Sequence, residues 1–383
     1  MLENLESINW EDTISCSISE RMPDLIKELT SKDRMVRQDA MWDLYDSIID
    51  QDETRLELAT YVAPFLFELI LSDNIKDRQE LIKLLVCLAI PNDYIKEFLG
   101  VGFTIDKFKS VLQDAENKMS DDKRKLYKQR GGGLKTSLAC YGMIAKEAGK
   151  FLQLTEDKDK LTRRAAIYAL AWFPDLADKS APMVNALLPS LKSEYNIANA
   201  LLAVGMLSKE ASEDTELGVM DHYLGHSSDL VRLSAATVLF QHQYSERTLK
   251  ILIEGLKGGS FLLEPDFFYY DGDFTDYIIQ VLSSNSRYEV KIMMALCEAL
   301  LETPKDDILG IIRAIIAILK KIRTTPITET SREDLTSVEV WALENILDLL
   351  RKDEEEVYYS YHRKLSEAGI YSTEAELKSY LGR

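Results

Sequence analysis

The sequence has few cysteines and no long apolar run. Its 4 cysteines, Cys16, Cys87, Cys140 and Cys297, lie far apart, mostly within apolar stretches, and none belongs to a CxxC pair. This spacing disfavours a disulfide framework and a zinc site, and it predicts reduced, buried thiols. No apolar run approaches the roughly 18 residues that a membrane-spanning helix needs. The first residues, MLENLESINWEDT, lack the basic and apolar segments of an export signal, so we expect a cytoplasmic protein without membrane contact.

Basic side chains are also in the minority. The chain has 46 Lys and Arg against 64 Asp and Glu, which gives a formal net charge of -18. A negative potential of this size repels the phosphate backbone and anionic lipid, so binding to nucleic acid or a membrane surface is disfavoured and a basic partner is favoured. Proline (9) and glycine (17) are sparse, whereas hydrophobic residues make up 46% of the chain. This is the composition of a folded protein rich in helices.

A repeat organises the middle of the chain. Three segments align without gaps at a shift of about 35 residues, which superposes Ala165, Ala200 and Ala235. The positions four residues before and after each alanine are mostly apolar, as on one face of a helix, and the small central residue lets a neighbouring helix approach closely. A second helix is predicted after each segment, with an N-cap candidate near its start: Ser180, Asp214 and Ser245.

The same register recurs near the N-terminus in DRMVRQDAMWDLY, where Val36 and Ala40 match Val231 and Ala235. DRMVRQDA and SDLVRLSAA resemble the Asp-x-x-Val-Arg-x-x-Ala signature that opens HEAT repeats, including the PBS-lyase type, and LTRRAAIYALAWFPD is a looser third copy. The resemblance extends to a group of bacterial HEAT-repeat proteins. It implies an all-α fold, a right-handed α-α superhelix of paired antiparallel helices, that is, a HEAT-like or armadillo-type solenoid.

Interruptions of the repeat divide the chain into five predicted segments. They are N-terminal HEAT-like helices over 1–91, an irregular connection with a basic loop over 92–130, central repeats over 131–258, an acidic aromatic loop over 259–273, and C-terminal helices with a cap over 274–383. Signature residues such as Arg37 and Arg232 could form an anion site. The structural interpretation is favoured, in which the carboxylate caps its helix and the arginine bridges to the adjacent repeat.

The segment PDFFYYDGDFTDY, 265–277, combines aromatic and acidic residues without a basic one. Its candidate partner-binding residues are Phe267, Phe268, Tyr269, Tyr270, Asp271 and Asp273. A calcium loop is disfavoured because Gly272 and Phe274 stand at the wrong positions, and no opposing carboxylate can be placed for glycosidase chemistry. Two interpretations stay open. The loop packs between repeats, or its aromatics and carboxylates contact a basic partner.

A second candidate surface is the cationic stretch KRKLYKQRGGGLKTS. Its candidate partner-binding residues are Lys123, Arg124, Lys125, Lys128 and Arg130. A phosphate-binding loop is disfavoured because Leu134 separates the glycines from Lys135 and no strand precedes them. The stretch is therefore either a solvated loop or a docking point for an acidic segment.

The sequence gives only weak signals for metal-binding or catalytic residues. His222 and His226 lie four residues apart on a predicted helix and could share a metal ion, but the glutamate of HExxH is missing, because Tyr223 follows His222. GxSxG is absent, and the thiols lie in apolar surroundings, which oppose their activation. We therefore predict no catalytic residue, no metal and no cofactor.

The sequence favours a non-enzymatic scaffold or adaptor that binds a basic protein along an acidic solenoid surface. One alternative is a bacterial immunity or antitoxin-like protein that neutralises a toxin. The rival class is an enzyme. A HEAT-like DNA alkylation-repair glycosylase would need a cationic groove with an exposed Trp and Asp, whereas Trp10, Trp42, Trp172 and Trp341 are mostly predicted on apolar helix faces. A bilin-lyase-type enzyme would need a cysteine placed to hold a chromophore.

Overall fold

The computed structural model describes residues 2–10, 19–49, 56–90, 103–122, 124–125, 133–208, 217–257, 268–269, 274–351 and 360–383. Within these ranges every regular element is a helix, so the predicted all-α class is confirmed. Successive helices pack against one another, as expected of an α-solenoid. Among the described residues no helix combines the length and apolar character needed to cross a membrane.

The described helices belong to two compact units, one of residues 1–192 and 203–216 and the other of residues 193–202 and 217–383. The α-helices up to residue 187 are α1 (Met22–Glu28), α2 (Arg34–Ile49), α3 (Leu56–Ile70), α4 (Arg78–Ala89), α5 (Ile105–Lys118), α6 (Leu134–Glu147), α7 (Gly149–Leu154), α8 (Lys160–Leu170) and α9 (Ala177–Leu187). The five segments expected from the sequence are a finer division, which stays a prediction.

The later α-helices are α10 (Glu194–Leu207), α11 (Asp229–His242), α12 (Glu246–Leu256), α13 (Phe274–Ser284), α14 (Glu289–Glu302), α15 (Leu309–Ile322), α16 (Ser337–Arg351), α17 (Ser360–Glu367) and α18 (Glu374–Leu381). Short 3-10 turns connect several of them. The helices α17 and α18 lie in the polar ending that was expected to cap the chain, and α18 packs on α16.

An aromatic core holds the first unit together, where α3 packs on α4 and α6, and α4 packs on α8. The ring of Tyr141 stacks on Phe173 at 5.6 Å, and Phe67 meets Phe151 at 5.4 Å. The phenol of Tyr141 donates to the carbonyl of Trp172 at 3.0 Å, which satisfies its hydroxyl inside the core. Burial raises the pKa of Tyr141, so it stays neutral.

In the second unit α11 packs on α12, α13 on α15, and α14 on α15 and α16. One close approach depends on a glycine. A Cβ atom at Gly310, in α15, would lie 2.5 Å from the carbonyl oxygen of Leu256 at the end of α12. Since a backbone carbonyl cannot rotate away, only glycine fits at this crossing.

The burial expected at the centre of each repeat segment is confirmed, whereas the repeat itself stays a prediction. Ala165, Ala200 and Ala235 are all fully buried, as a close helix–helix approach requires. The N-cap prediction is confirmed for Ser245, whose hydroxyl accepts from the backbone N–H of Thr248 at 3.1 Å. It is wrong for Ser180, which lies inside α9 and donates to the carbonyl of Leu176 at 2.9 Å. Asp214, the third N-cap candidate, lies outside the described residues.

Candidate interaction site

Three arginines make the same contact at the start of three helices. In Arg37, Arg163 and Arg232 the Nη1 atom donates to the backbone carbonyls six and five residues earlier. Each arginine lies in the first turn of its helix, so the guanidinium reaches back over the N-terminus and fixes the incoming chain. These are charge-assisted hydrogen bonds inside the scaffold. The signature arginines are therefore structural, and their donors are directed at the protein's own backbone.

In the first unit these contacts continue into a ladder between helices. The guanidinium of Arg37 also pairs with Asp77 at 2.6 Å, at the N-cap of α4. The next residue, Arg78, pairs with Asp157 at 2.7 Å, and their side chains are only 5% and 8% exposed. The predicted bridge to the adjacent repeat is thus confirmed for Arg37. For Arg232 the bridge stays a prediction, since the ion pair given within the described residues is with Asp229 of its own helix.

Two residues of the acidic aromatic loop are described, Tyr269, which is buried, and Phe268, which is half-buried. Tyr269 is 1% exposed, so its ring is not presented to a partner and its place among the candidate contact residues is corrected. The backbone N–H of Phe268 donates to the side-chain oxygen of Asn199 in α10 at 3.3 Å. The amide nitrogen of that buried asparagine donates to the carbonyl of Tyr195 at 2.7 Å. Packing is therefore the interpretation that fits these two residues.

The other candidates of this loop, Phe267, Tyr270, Asp271 and Asp273, lie outside the described residues. Asp276, which follows in the same segment, is described in the first turn of α13. Its carboxylate forms an ion pair with Arg313 of α15, so it links two packed helices.

The cationic stretch contributes two described candidates. Arg124 donates from Nε to the carbonyl of Glu116 at 2.9 Å and from Nη2 to that of Met119 at 3.0 Å. These bonds cap the C-terminal end of α5, where a cation is favoured by the helix dipole. Lys125 is exposed. Three further candidates, Lys123, Lys128 and Arg130, lie outside the described residues.

The N-terminus of α6, where a phosphate loop would have held its anion, carries the protein's own carboxylate. Glu116 accepts from the backbone N–H of Leu134, the first residue of that helix. Gly133 precedes it with a φ of 134°, a backbone conformation that favours glycine. The glycine here serves the turn into α6, and the helix terminus is neutralised internally.

The histidine pair does not share a helix face. The prediction of an α-helix there is wrong, because residues 217–225 form a 3-10 helix that ends before His226. The Nδ1 atom of His226 accepts from the backbone N–H of Ser228 at 3.1 Å, while His222 is exposed. Within the described part of the chain no group of three or more His, Cys, Asp and Glu side chains could hold a metal ion.

The described cysteines are packing residues. Cys140 and Cys297 are buried, as predicted, and Cys87 is partly exposed, whereas Cys16 lies outside the described residues. Burial, with a smaller contribution from Glu298, raises the pKa of Cys297 to about 12. A thiol that holds its proton so firmly is a poor nucleophile.

The prediction that the tryptophans lie on apolar faces is wrong for Trp42. Trp10 and Trp172 are buried, but Trp42, in α2, is 65% exposed and lies edge-on to Tyr45 at a centroid distance of 6.3 Å. Two turns earlier on the same helix Met35 is 62% exposed. Three apolar side chains of α2, those of Met35, Val36 and Trp42, are therefore exposed, a feature that sequence reasoning missed.

The repeat register shows how unusual this surface is. Since Ala40 matches Ala235, Asp39 corresponds to Ser234 and Trp42 to Thr237 of α11. Both α11 residues are fully buried, whereas Asp39 and Trp42 are exposed. The available signal was the set of carboxylates around the ring, because Asp39, Asp43 and Asp46 stand three residues before, one after and four after Trp42. Such neighbours are typical of a solvent-facing stripe.

No protein-family model matches the chain, and no curated protein matches it. Among solved structures, one described as the crystal structure of an engineered protein is similar over 96% of this chain and 92% of its own, with 16% identity and a TM-score of 0.31. A TM-score this low carries no argument about fold or function. The HEAT-repeat family therefore stays a prediction.

We predict that Arg78→Met destabilises the protein by about 3–5 kcal/mol, because it leaves the buried carboxylate of Asp157 without its cation. The substitution also removes a donor from the carbonyl of Ile70. Equilibrium unfolding in urea measures the change. The matched control is Arg21→Met, which breaks an exposed pair with Asp43 and should cost less than about 1 kcal/mol. Equal effects of the two substitutions would show that the ladder does not hold the helices together.

For the aromatic loop, Tyr269→Ser should lower the melting temperature much more than Phe268→Ser. The first change empties a buried aromatic site, which costs about 3–5 kcal/mol in typical cores. The second leaves the backbone bond to Asn199 in place and removes a half-buried ring. Thermal unfolding followed by circular dichroism gives both values. A Tyr269→Ser protein as stable as wild type would contradict the packed position of this ring.

Proposed function

We propose that the chain is a HEAT-like α-solenoid protein that acts as a non-enzymatic scaffold or adaptor for a basic partner protein. The observation that carries the proposal is the outward surface of α2, where Met35 and Trp42 present large apolar side chains to solvent. Grouped apolar side chains on a protein surface mark places that another molecule covers. Tryptophan is among the residues that contribute most to binding energy once an interface buries it.

The charge of the chain supports a basic partner. A net charge of -18 attracts a cationic protein at long range and repels acidic ones, which affects the rate and the selectivity of association more than affinity. An immunity-type role, in which the basic partner is a toxin, is one form of the same proposal.

The best-buried acid of the described residues is explained by structure. Glu339 accepts from Arg323 Nε at 2.7 Å and from the backbone N–H of Thr336 at 2.7 Å, in a capping box at the start of α16. Burial alone would raise the pKa of Glu339, but the hydrogen bonds from Arg323 and Thr336 outweigh it and hold the pKa below its usual value. Its carboxylate is thus a scaffold group and a poor candidate for a general acid.

One observation favours the rival enzyme class. A HEAT-like DNA alkylation-repair glycosylase needs an exposed Trp beside an Asp, and Trp42 with Asp46 meets that part of the requirement. The same enzyme needs cations around the pair to hold the phosphate backbone. Around Trp42 the neighbouring charges on α2 are the carboxylates Asp39 and Asp43, so we rank this class second.

Affinity purification of the tagged full chain from its native host tests the proposal. We expect one basic protein in stoichiometric amount, and we expect washing with salt well above 0.15 M to weaken its retention, because surface charge pairs are screened there. Mass spectrometry identifies the protein, and titration of the purified pair measures its affinity.

The matched test for the rival uses a duplex that contains an alkylated base. We expect the chain neither to retard this duplex in a gel at low salt nor to release the base. Release of the base would overturn the scaffold proposal and support the glycosylase instead. Purification without any stoichiometric protein would remove the support for a scaffold.

A further inference from the structure

The outward face of α2 is built from residues at helical spacing. Ala40, Leu44 and Ile48 are buried and mark the inward face. At 100° per residue, Met35, Asp39, Trp42 and Asp46 fall within about 60° of one another on the opposite side of the helix. All four are exposed. The face thus carries two apolar side chains alternating with two carboxylates, and we call it the α2 outer face.

This composition differs from that of α11, the helix that the repeat register aligns with α2. Here the position that corresponds to the buried Thr237 holds the exposed Trp42. A tryptophan at this place contributes little to the core, because most of its side chain is in contact with solvent.

The charges on the α2 outer face indicate what would cover it. Asp39 and Asp46 flank the indole, and within the described residues neither is in an ion pair, whereas Asp43 at the edge of the face is paired with Arg21 at 3.0 Å. Carboxylates beside an exposed indole suit a Lys or Arg side chain, which can pair with the acid and lie over the ring. Met35 adds an adaptable apolar contact.

We propose that the α2 outer face, Met35, Asp39, Trp42 and Asp46, is the docking site for a basic amphipathic segment of the partner protein. The proposal rests on the proposed function and names its site and the chemistry that it recognises. Apolar side chains of the segment cover Trp42 and Met35, and its Lys or Arg residues pair with Asp39 and Asp46. A second copy of the chain fits less well, because each copy carries a net charge of -18.

The probe is a fluorescein-labelled synthetic peptide of lysine, leucine and alanine, spaced to form a basic amphipathic helix. Its acidic twin has glutamate in place of lysine. Fluorescence anisotropy measures binding of each peptide to the full chain. We expect the basic peptide to bind at least about tenfold more tightly than the acidic twin, since like charges oppose the latter.

Three variants locate the binding. Trp42→Ala should weaken binding of the basic peptide by at least about tenfold, which is the loss typical of an aromatic residue at the centre of an interface. The double substitution Asp39→Asn and Asp46→Asn should weaken it and reduce its dependence on salt. Met294→Ala, which changes a 47% exposed residue of α14, is the matched control and should leave affinity unchanged. All these side chains are exposed, and circular dichroism checks that each variant is folded.

Several results would overturn this proposal. One is that the basic peptide does not bind the wild-type protein at all, and another is that it binds the Trp42→Ala protein as tightly as wild type. Equal losses of affinity for Trp42→Ala and Met294→Ala would also contradict the proposal. A dimer in sedimentation that Trp42→Ala converts to a monomer would assign the face to a second copy instead. If the partner purified from the host binds Trp42→Ala as well as wild type, the site is wrong and the proposed function stands. If no partner is recovered, the proposed function fails, while the peptide measurements still decide this face.

Discussion

The hydrogen bonds of the arginines at the helix starts are the interaction on which the rest of the structure depends. A chain that enters a helix leaves the carbonyls of the preceding turn without helical partners, and a guanidinium satisfies two of them at once. Arg37, Arg163 and Arg232 all do this. In the first unit Arg78 extends the pattern between helices through its buried pair with Asp157. These cations therefore fix the starts of the helices by binding the protein's own backbone carbonyls.

One helix start that lacks such an arginine contacts the aromatic loop. In α10 Ile197 stands at the fourth helical position, where α2, α8 and α11 carry the arginine, and Asn199 is buried where it accepts from the backbone N–H of Phe268. The start of α10 and the described part of the loop are therefore linked through this asparagine within the second unit. Tyr269, next in the chain, fills the interior beside it. A segment that resembles a metal or contact loop in composition is, in its described part, an element of packing.

Helical periodicity predicted α2 well, because its buried residues Ala40, Leu44 and Ile48 recur every four positions. Prediction was poorer where the local structure depends on the contacts of a single residue. Ser180 looked like an N-cap, but a buried serine can instead donate to the carbonyl four residues earlier. Tyr269 could not be placed, since four consecutive aromatics have no period. Trp42 was misplaced because the register of an inner repeat was applied to a helix whose outer side faces solvent.

The central claim is that an acidic, tryptophan-bearing face of α2 receives a basic segment. Hydrogen–deuterium exchange of the full chain, with and without the basic amphipathic peptide, tests it most directly, because peptide binding slows exchange of the amides that it covers or rigidifies. The account predicts added protection confined to residues 34–46, with α14 unchanged. Protection that appears in other helices while residues 34–46 exchange as in the free protein would contradict it.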